Sequence, residues 1–134
     1  MKISSESAMI DYGEQLASNL IPPVVIELVG DVGTGKTTIT QGSAKALGVT
    51  DTVTSPSFTI SKRYQGADDK ILVHYDFYRL DDPGILAEDL AENLQDSQTI
   101  TVIEWGESVA NLLPKNHRKI MIAYNSDGTR EVSE

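Results

Sequence analysis

The residues most suited to chemistry form one run, Gly30-Asp31-Val32-Gly33-Thr34-Gly35-Lys36-Thr37-Thr38. Its first eight positions fit G-x-x-x-x-G-K-[ST], the pattern of a loop that cradles nucleotide phosphates. Glycines let such a backbone turn and approach a phosphate with no Cβ in the way. Successive N–H groups then point into the loop, and the positive end of the following helix adds to their field. In this arrangement Lys36 reaches the β- and γ-phosphates as a point charge. The Thr37 hydroxyl ligates Mg²⁺, and Thr38 donates near the α-phosphate.

A phosphate loop of this kind needs a carboxylate for the metal at the end of a neighbouring strand. Two candidates follow apolar runs: Asp76 after Ile71-Leu72-Val73, and Glu104 after Ile100-Thr101-Val102-Ile103. One would hold the metal, directly or through water, while the other orients or deprotonates the attacking nucleophile. Spacing does not choose between them. The Thr54-Ser55-Pro56-Ser57-Phe58-Thr59 stretch is either a γ-phosphate-sensing switch or an ordinary proline turn. His74 lies two residues before Asp76, on the same strand face, and is either structural or part of the site. Trp105 belongs either in the core or beside the nucleotide. No guanine-reading N-K-x-D occurs; Asp81-Asp82-Pro83-Gly84 fits D-x-x-G only nominally, at a helix start. ATP is therefore expected rather than GTP.

The elements that must position these groups alternate in type. Apolar residues at Met9, Tyr12, Leu16 and Leu20 predict an amphipathic helix from Ser5, capped by Ser4 or Ser5 and ended by Pro22-Pro23. Val24 to Val29 predicts a buried strand, and Lys36 to Leu47 a helix closed by Gly48. Strands are expected through Tyr64, over 71–76 and over 100–104. Asp82-Pro83 is expected to cap and open a helix carrying Leu86, Leu90 and Leu94. A short helix is expected from Glu107 to Leu113. The tail predicts a hairpin, with 119–124 returning as 129–132 across Asn125-Ser126-Asp127-Gly128. The expected fold is α/β, a P-loop NTPase with a mainly parallel sheet, helices on both faces and an antiparallel edge hairpin. The whole of 1–134 is expected to be a single P-loop nucleotide-binding domain, a size at which one core is feasible.

Composition narrows the function. The 134 residues hold 20 acidic side chains against 11 lysines and arginines, a net charge of −9. Holding a polyanion unaided takes clustered cations, so nucleic-acid binding as a solo activity is disfavoured. The charge is a long-range, salt-screened effect, and it leaves the local field of the phosphate loop in control of anion binding. There is no cysteine and there are only two histidines, which excludes disulfide scaffolds, thiol nucleophiles and zinc-finger sites. With neither a signal peptide nor a membrane-spanning run, a soluble cytoplasmic protein with no membrane partner is expected. The acidic helix around Asp81, Asp82, Glu88, Asp89, Glu92 and Asp96 is a solvated face that would also suit a basic partner.

Four motifs in order, 30–38, 54–59, His74-Tyr75-Asp76-Phe77-Tyr78-Arg79-Leu80 and Ile103-Glu104-Trp105, resemble the TsaE (YjeE) family over nearly the whole chain. Members are small bacterial ATPases required for N6-threonylcarbamoyladenosine synthesis in tRNA. The resemblance implies that Gly33, Thr34, Gly35, Lys36, Thr37 and Thr38 bind the phosphates of ATP. It also implies that Thr37 and Glu104 hold Mg²⁺ and that Asp76 orients or activates water. Lys36, Asp76 and Glu104 are then the catalytic set, and Arg130 matches a basic residue near the nucleotide. The family often has Thr where this chain has Met9, near the adenine; Met9 offers only apolar surface or backbone there. The implied partners are TsaD and TsaB, with tRNA contacted only indirectly. Two other readings stand beside an accessory ATPase: a small-molecule P-loop kinase, which usually needs an Arg-rich lid not seen in the sequence, and a nucleotide-binding interaction module without real turnover.

Overall fold

The computed structural model describes residues 1–56, 60–78, 80 and 82–134. Ser57, Phe58 and Thr59 of the candidate switch, Arg79 and Asp81 lie outside the described residues.

The elements run β1 (Lys2–Ile3), α1 (Glu6–Ser18), β2 (Val24–Val29), α2 (Lys36–Ala46), β3 (Ser61–Gln65), β4 (Ile71–Asp76), α3 (Ile85–Gln95), β5 (Thr99–Glu104), a 3₁₀ helix (Gly106–Leu112), β6 (Arg118–Tyr124) and β7 (Arg130–Ser133). The strands form one seven-stranded sheet in the order β1-β7-β6-β2-β5-β4-β3. Its centre, β6-β2-β5-β4, is parallel, while β3 at one edge and the β7–β1 pair at the other are antiparallel. Central parallel strands are covered on both faces and so read as continuous apolar runs; every residue of β5 is buried.

Alternation sorts the side chains into two core layers. Ile26, Leu28, Leu72, Ile100, Val102, Ile120 and Ile122 pack with Met9, Leu16, Ile39 and Leu47 of the α1–α2 side. Val25, Val73, Tyr75, Phe77 and Ile103 pack with Leu90 of α3 and Val109 of the 3₁₀ helix. Parity along the strands therefore sends His74 and Asp76 of β4, and Glu104 of β5, to the α1–α2 face. Among the described residues no helix is long and apolar enough to cross a membrane.

Local starts and stops follow the sequence at some ends and depart from it at others. Ser5 caps α1, its hydroxyl accepting from the Ala8 amide at 3.1 Å. Gly48 follows α2 with φ of 80°, the left-handed conformation of a helix stop. The expected cap at Asp82 is corrected: its carboxylate accepts from the Gly84 amide at 3.0 Å, a turn of its own. Gly84 takes positive φ, and α3 begins only at Ile85. The short helix before Pro114 is a 3₁₀ helix ending at Leu112. Strand β1, two residues long, was not expected.

Candidate functional site: a phosphate loop facing two strand-end carboxylates

The loop leaves the C-terminal end of β2 and enters α2, with Gly33 at φ 82° and Gly35 at φ 113°. A side chain at either position would be strained, which is the physical reason for glycine there. Gly35 is the cap residue of α2 and brings no side chain to satisfy the first-turn amides, so they stay available to an anion. Met9 is buried, and its Cε lies 3.1 Å from where a Cβ on Gly35 would stand. It supports the loop from below.

Lys36 is buried. Its Nζ donates to the carbonyls of Gly30 at 2.6 Å and Asp31 at 2.8 Å. It also sits 4.9 Å from the centroid of the Trp105 ring, a cation–π distance. The ammonium is thus held over the loop by weak neutral acceptors that a phosphate would readily replace. Thr34 is turned inward: its amide donates to the Asp31 carbonyl at 3.2 Å and its hydroxyl to the same oxygen at 2.8 Å. Arg130 reaches the loop from β7. It donates to the Gly33 carbonyl at 3.2 Å and stacks on Tyr124 at 4.6 Å. The Tyr124 hydroxyl donates to the same carbonyl at 2.5 Å.

A cleft of about 530 Å³ opens beside the loop. Gly33, Gly35, Lys36, Thr37 and Thr38 line it on one side, and Ser55, Asp76, Tyr78, Glu104 and Trp105 on the other. Seven of the nine candidate site residues therefore meet in one cleft. Thr34 faces a neighbouring groove along β6, and Arg130 acts on the loop from outside.

The two carboxylates face each other because β4 and β5 are parallel and in register, Asp76 opposite Glu104. Both are buried. Burial is the main cause that raises the Asp76 pKa above the ordinary carboxylate range. The nearby Glu104 charge adds to this rise, and a 3.0 Å hydrogen bond from the Tyr78 amide opposes it. Ser55 Oγ lies 3.5 Å from the other Asp76 oxygen. His74, fully buried, brings Nε2 within 2.5 Å of Glu104 Oε2. Trp105 does both things the sequence left open: it packs against the second core layer and lines the cleft. Its φ of 57° is a left-handed conformation, which a bulky residue adopts at a cost of order 1 kcal/mol or more. Sequence reasoning assigned no role to Tyr78, which stood there only within the 74–80 motif, or to Tyr124. The Tyr78 and Trp105 rings meet at 4.8 Å between centroids, tilted by 42°, and the position of Tyr78 two after Asp76 was the available signal.

Among the described residues no three His, Cys, Asp or Glu side chains are grouped to hold a metal by themselves. The oxygen donors present, the Thr37 hydroxyl and the Glu104 carboxylate, suit a hard cation. Mg²⁺ in particular keeps several waters and takes one or two carboxylates plus substrate phosphates, so this sparse donor set fits it.

A model of the family described as "Threonylcarbamoyl adenosine biosynthesis protein TsaE" matches residues 3–132. The tRNA threonylcarbamoyladenosine biosynthesis protein TsaE of Bacillus subtilis (strain 168) is 38% identical over 115 residues, covering 84% of this chain and 69% of that protein. Its namesake in Haemophilus influenzae is 32% identical over 130 residues, 93% of this chain and 82% of that protein. The crystal structure of Bacillus subtilis YdiB superposes with a TM-score of 0.81 at 30% identity, covering 98% of this chain and 80% of that one. The phosphate loop, the facing carboxylates and these matches agree, and the chain belongs to the TsaE family.

Proposed function

We propose that this protein is a Mg²⁺-dependent, ATP-binding and ATP-hydrolysing accessory protein of N6-threonylcarbamoyladenosine synthesis on tRNA, working with a TsaD–TsaB complex in the cytoplasm. The observation that carries this reading is the single cleft in which the phosphate loop and Thr37 face the buried carboxylates of β4 and β5. The names of its relatives supply the process.

The chain's own residues divide the work. The uncapped amides at the start of α2 hold the phosphates, and Lys36 exchanges its loop carbonyls for phosphate oxygens. Thr37 and Glu104 would hold Mg²⁺, which supplies neutralisation of charge on the departing diphosphate. Asp76, its pKa raised by burial, accepts a proton from water more readily than an exposed carboxylate does. One of its oxygens is fixed by the Tyr78 amide, so its orientation is set before substrate arrives. A chain of net charge −9 leaves the RNA to its partners.

The test is phosphate release from ATP with and without Mg²⁺. Lys36→Ala is expected to weaken nucleotide binding, and Glu104→Ala to abolish Mg²⁺-dependent hydrolysis. Asp76→Asn should slow it by roughly 10²–10⁴-fold, the usual range for a general base. Unchanged hydrolysis in Glu104→Ala would move the metal role to Asp76. Phosphate appearing on a metabolite instead of in solution would favour a kinase.

A further inference from the structure

We propose that His74 is a positioning residue for the metal carboxylate: its Nε2–H fixes Glu104 so that one oxygen stays turned toward Thr37 and the cation. The proposal rests on the reading of Glu104 given above.

The geometry begins with strand register. His74 pairs with Val102 across β4 and β5, which places it one pleat before Glu104 on the same face. From there the imidazole reaches forward to Glu104 Oε2 at 2.5 Å. As a metal ligand Glu104 would be ionised and could only accept, so in this proposal the proton of the bond sits on Nε2. One Glu104 oxygen is thereby engaged by His74 within the core, and Glu104 also lines the cleft.

A simple packing role accounts poorly for this histidine. Its Nδ1 is buried and has no hydrogen-bond partner among the described residues. An orphaned buried polar atom costs roughly 1–3 kcal/mol, which an apolar side chain at this site would avoid. Its neighbours along the same core layer, Leu72 and Val102, are apolar. What the imidazole provides and an apolar residue does not is a donor to a buried carboxylate that faces a second carboxylate, Asp76. Without that donor, Glu104 is free to turn away from Asp76 and from the metal position. Partners that orient metal ligands typically govern 10–100-fold in metal affinity or activity.

The experiment compares wild type, His74→Leu, His74→Gln and Glu104→Gln, each checked for folding by thermal melt. ADP affinity is measured by calorimetry in EDTA and across a Mg²⁺ titration, so the readout is binding. The Mg²⁺ requirement of His74→Leu is expected to rise about 10–100-fold, with its ADP affinity in EDTA unchanged. His74→Gln keeps a donor near the Nε2 position and should recover most of the loss. On the unliganded protein, the imidazole ¹H–¹⁵N spectrum should show a solvent-protected Nε2–H that moves in Glu104→Gln. If His74→Leu keeps the wild-type Mg²⁺ dependence while Glu104→Gln loses it, this inference is overturned and the site reading stands. If Glu104→Gln also keeps it, the metal assignment fails and this inference fails with it. If His74→Leu does not fold, the Nε2–H signal and His74→Gln decide: a missing signal, or a glutamine variant with the full loss, overturns the proposal.

Discussion

Replacing Gly42 in the middle of α2 with alanine should destabilise the protein, against the direction of helix propensity. Alanine in a helix interior is favoured over glycine by about 0.8–1.0 kcal/mol. At this position, however, a methyl group would overlap the Ile10 carbonyl oxygen of α1 and lie 2.9 Å from the Glu14 amide nitrogen. The reciprocal glycine, Gly13 of α1, faces Ile39 in the same way: a methyl there would overlap the Ile39 carbonyl oxygen and stand 3.0 Å from its carbon. The two helices cross backbone to backbone at this pair, and Ser43 Oγ donates to the Gly13 carbonyl at 3.1 Å. Relieving the overlap requires the helices to separate by on the order of 1 Å, since unstrained carbon contacts lie near 3.5–4.0 Å. Overpacking costs typically 1–3 kcal/mol, and loss of the buried Ser43 bond costs about 1 kcal/mol more. After the propensity gain, the net loss is about 1–3 kcal/mol, or roughly 4–12 °C in Tm for a chain of this size. Because α2 begins at Lys36, its displacement also moves the amides proposed to bind phosphate, so ADP affinity should fall together with Tm. Thermal melts and ADP titrations of Gly42→Ala check both. An unchanged or higher Tm would refute the close-crossing argument. Gly128→Asn is the control: Gly128 has positive φ in open space, which asparagine tolerates, and Tm should hardly move.

Two further predictions concern pH. The raised pKa of Asp76 favours the fold below its unfolded value near 3.9, and this contribution is lost as pH rises through the folded value. Asp76→Asn should therefore be more stable than wild type at neutral pH, and the gap should close in acid; equal melts at neutral pH would contradict the burial argument. Asp127 is held down to about 2, first by the Thr129 hydroxyl and then by Lys2. Its contribution exists above the unfolded value and disappears as pH falls through about 2. Asp127→Asn should flatten the acid limb of the Tm profile below pH ~4, and an unaltered limb would count against it.

The phosphate loop and the parallel centre were legible because their signals are local. One motif sits between a buried strand and a helix, and β5 and β2 carry continuous apolar runs. The facing of Asp76 and Glu104 was half legible: both were expected at strand ends, but that β4 and β5 are neighbours in register is a property of topology. The bond from His74 to Glu104 depends on that register, and so left no mark on either strand's own pattern. Gly13 and Gly42 read as ordinary helix positions, because a close crossing shows only when both helices are in place. Tyr124 and Arg130 converge on Gly33 across more than ninety residues of chain, at |i−j| of 91 and 97. The start of α3 was misplaced because Asp82 satisfies its own turn before the helix begins.

The proposed role, use of ATP in support of a tRNA-modifying complex, is open to direct measurement. The most direct test is threonylcarbamoylation of tRNA reconstituted with TsaD and TsaB, with and without this protein, over many turnovers and with ATP present. Product formation is expected to stop early without the protein, or with Lys36→Ala in its place, and to continue with wild type. Equal multiple turnover in its absence would contradict that role.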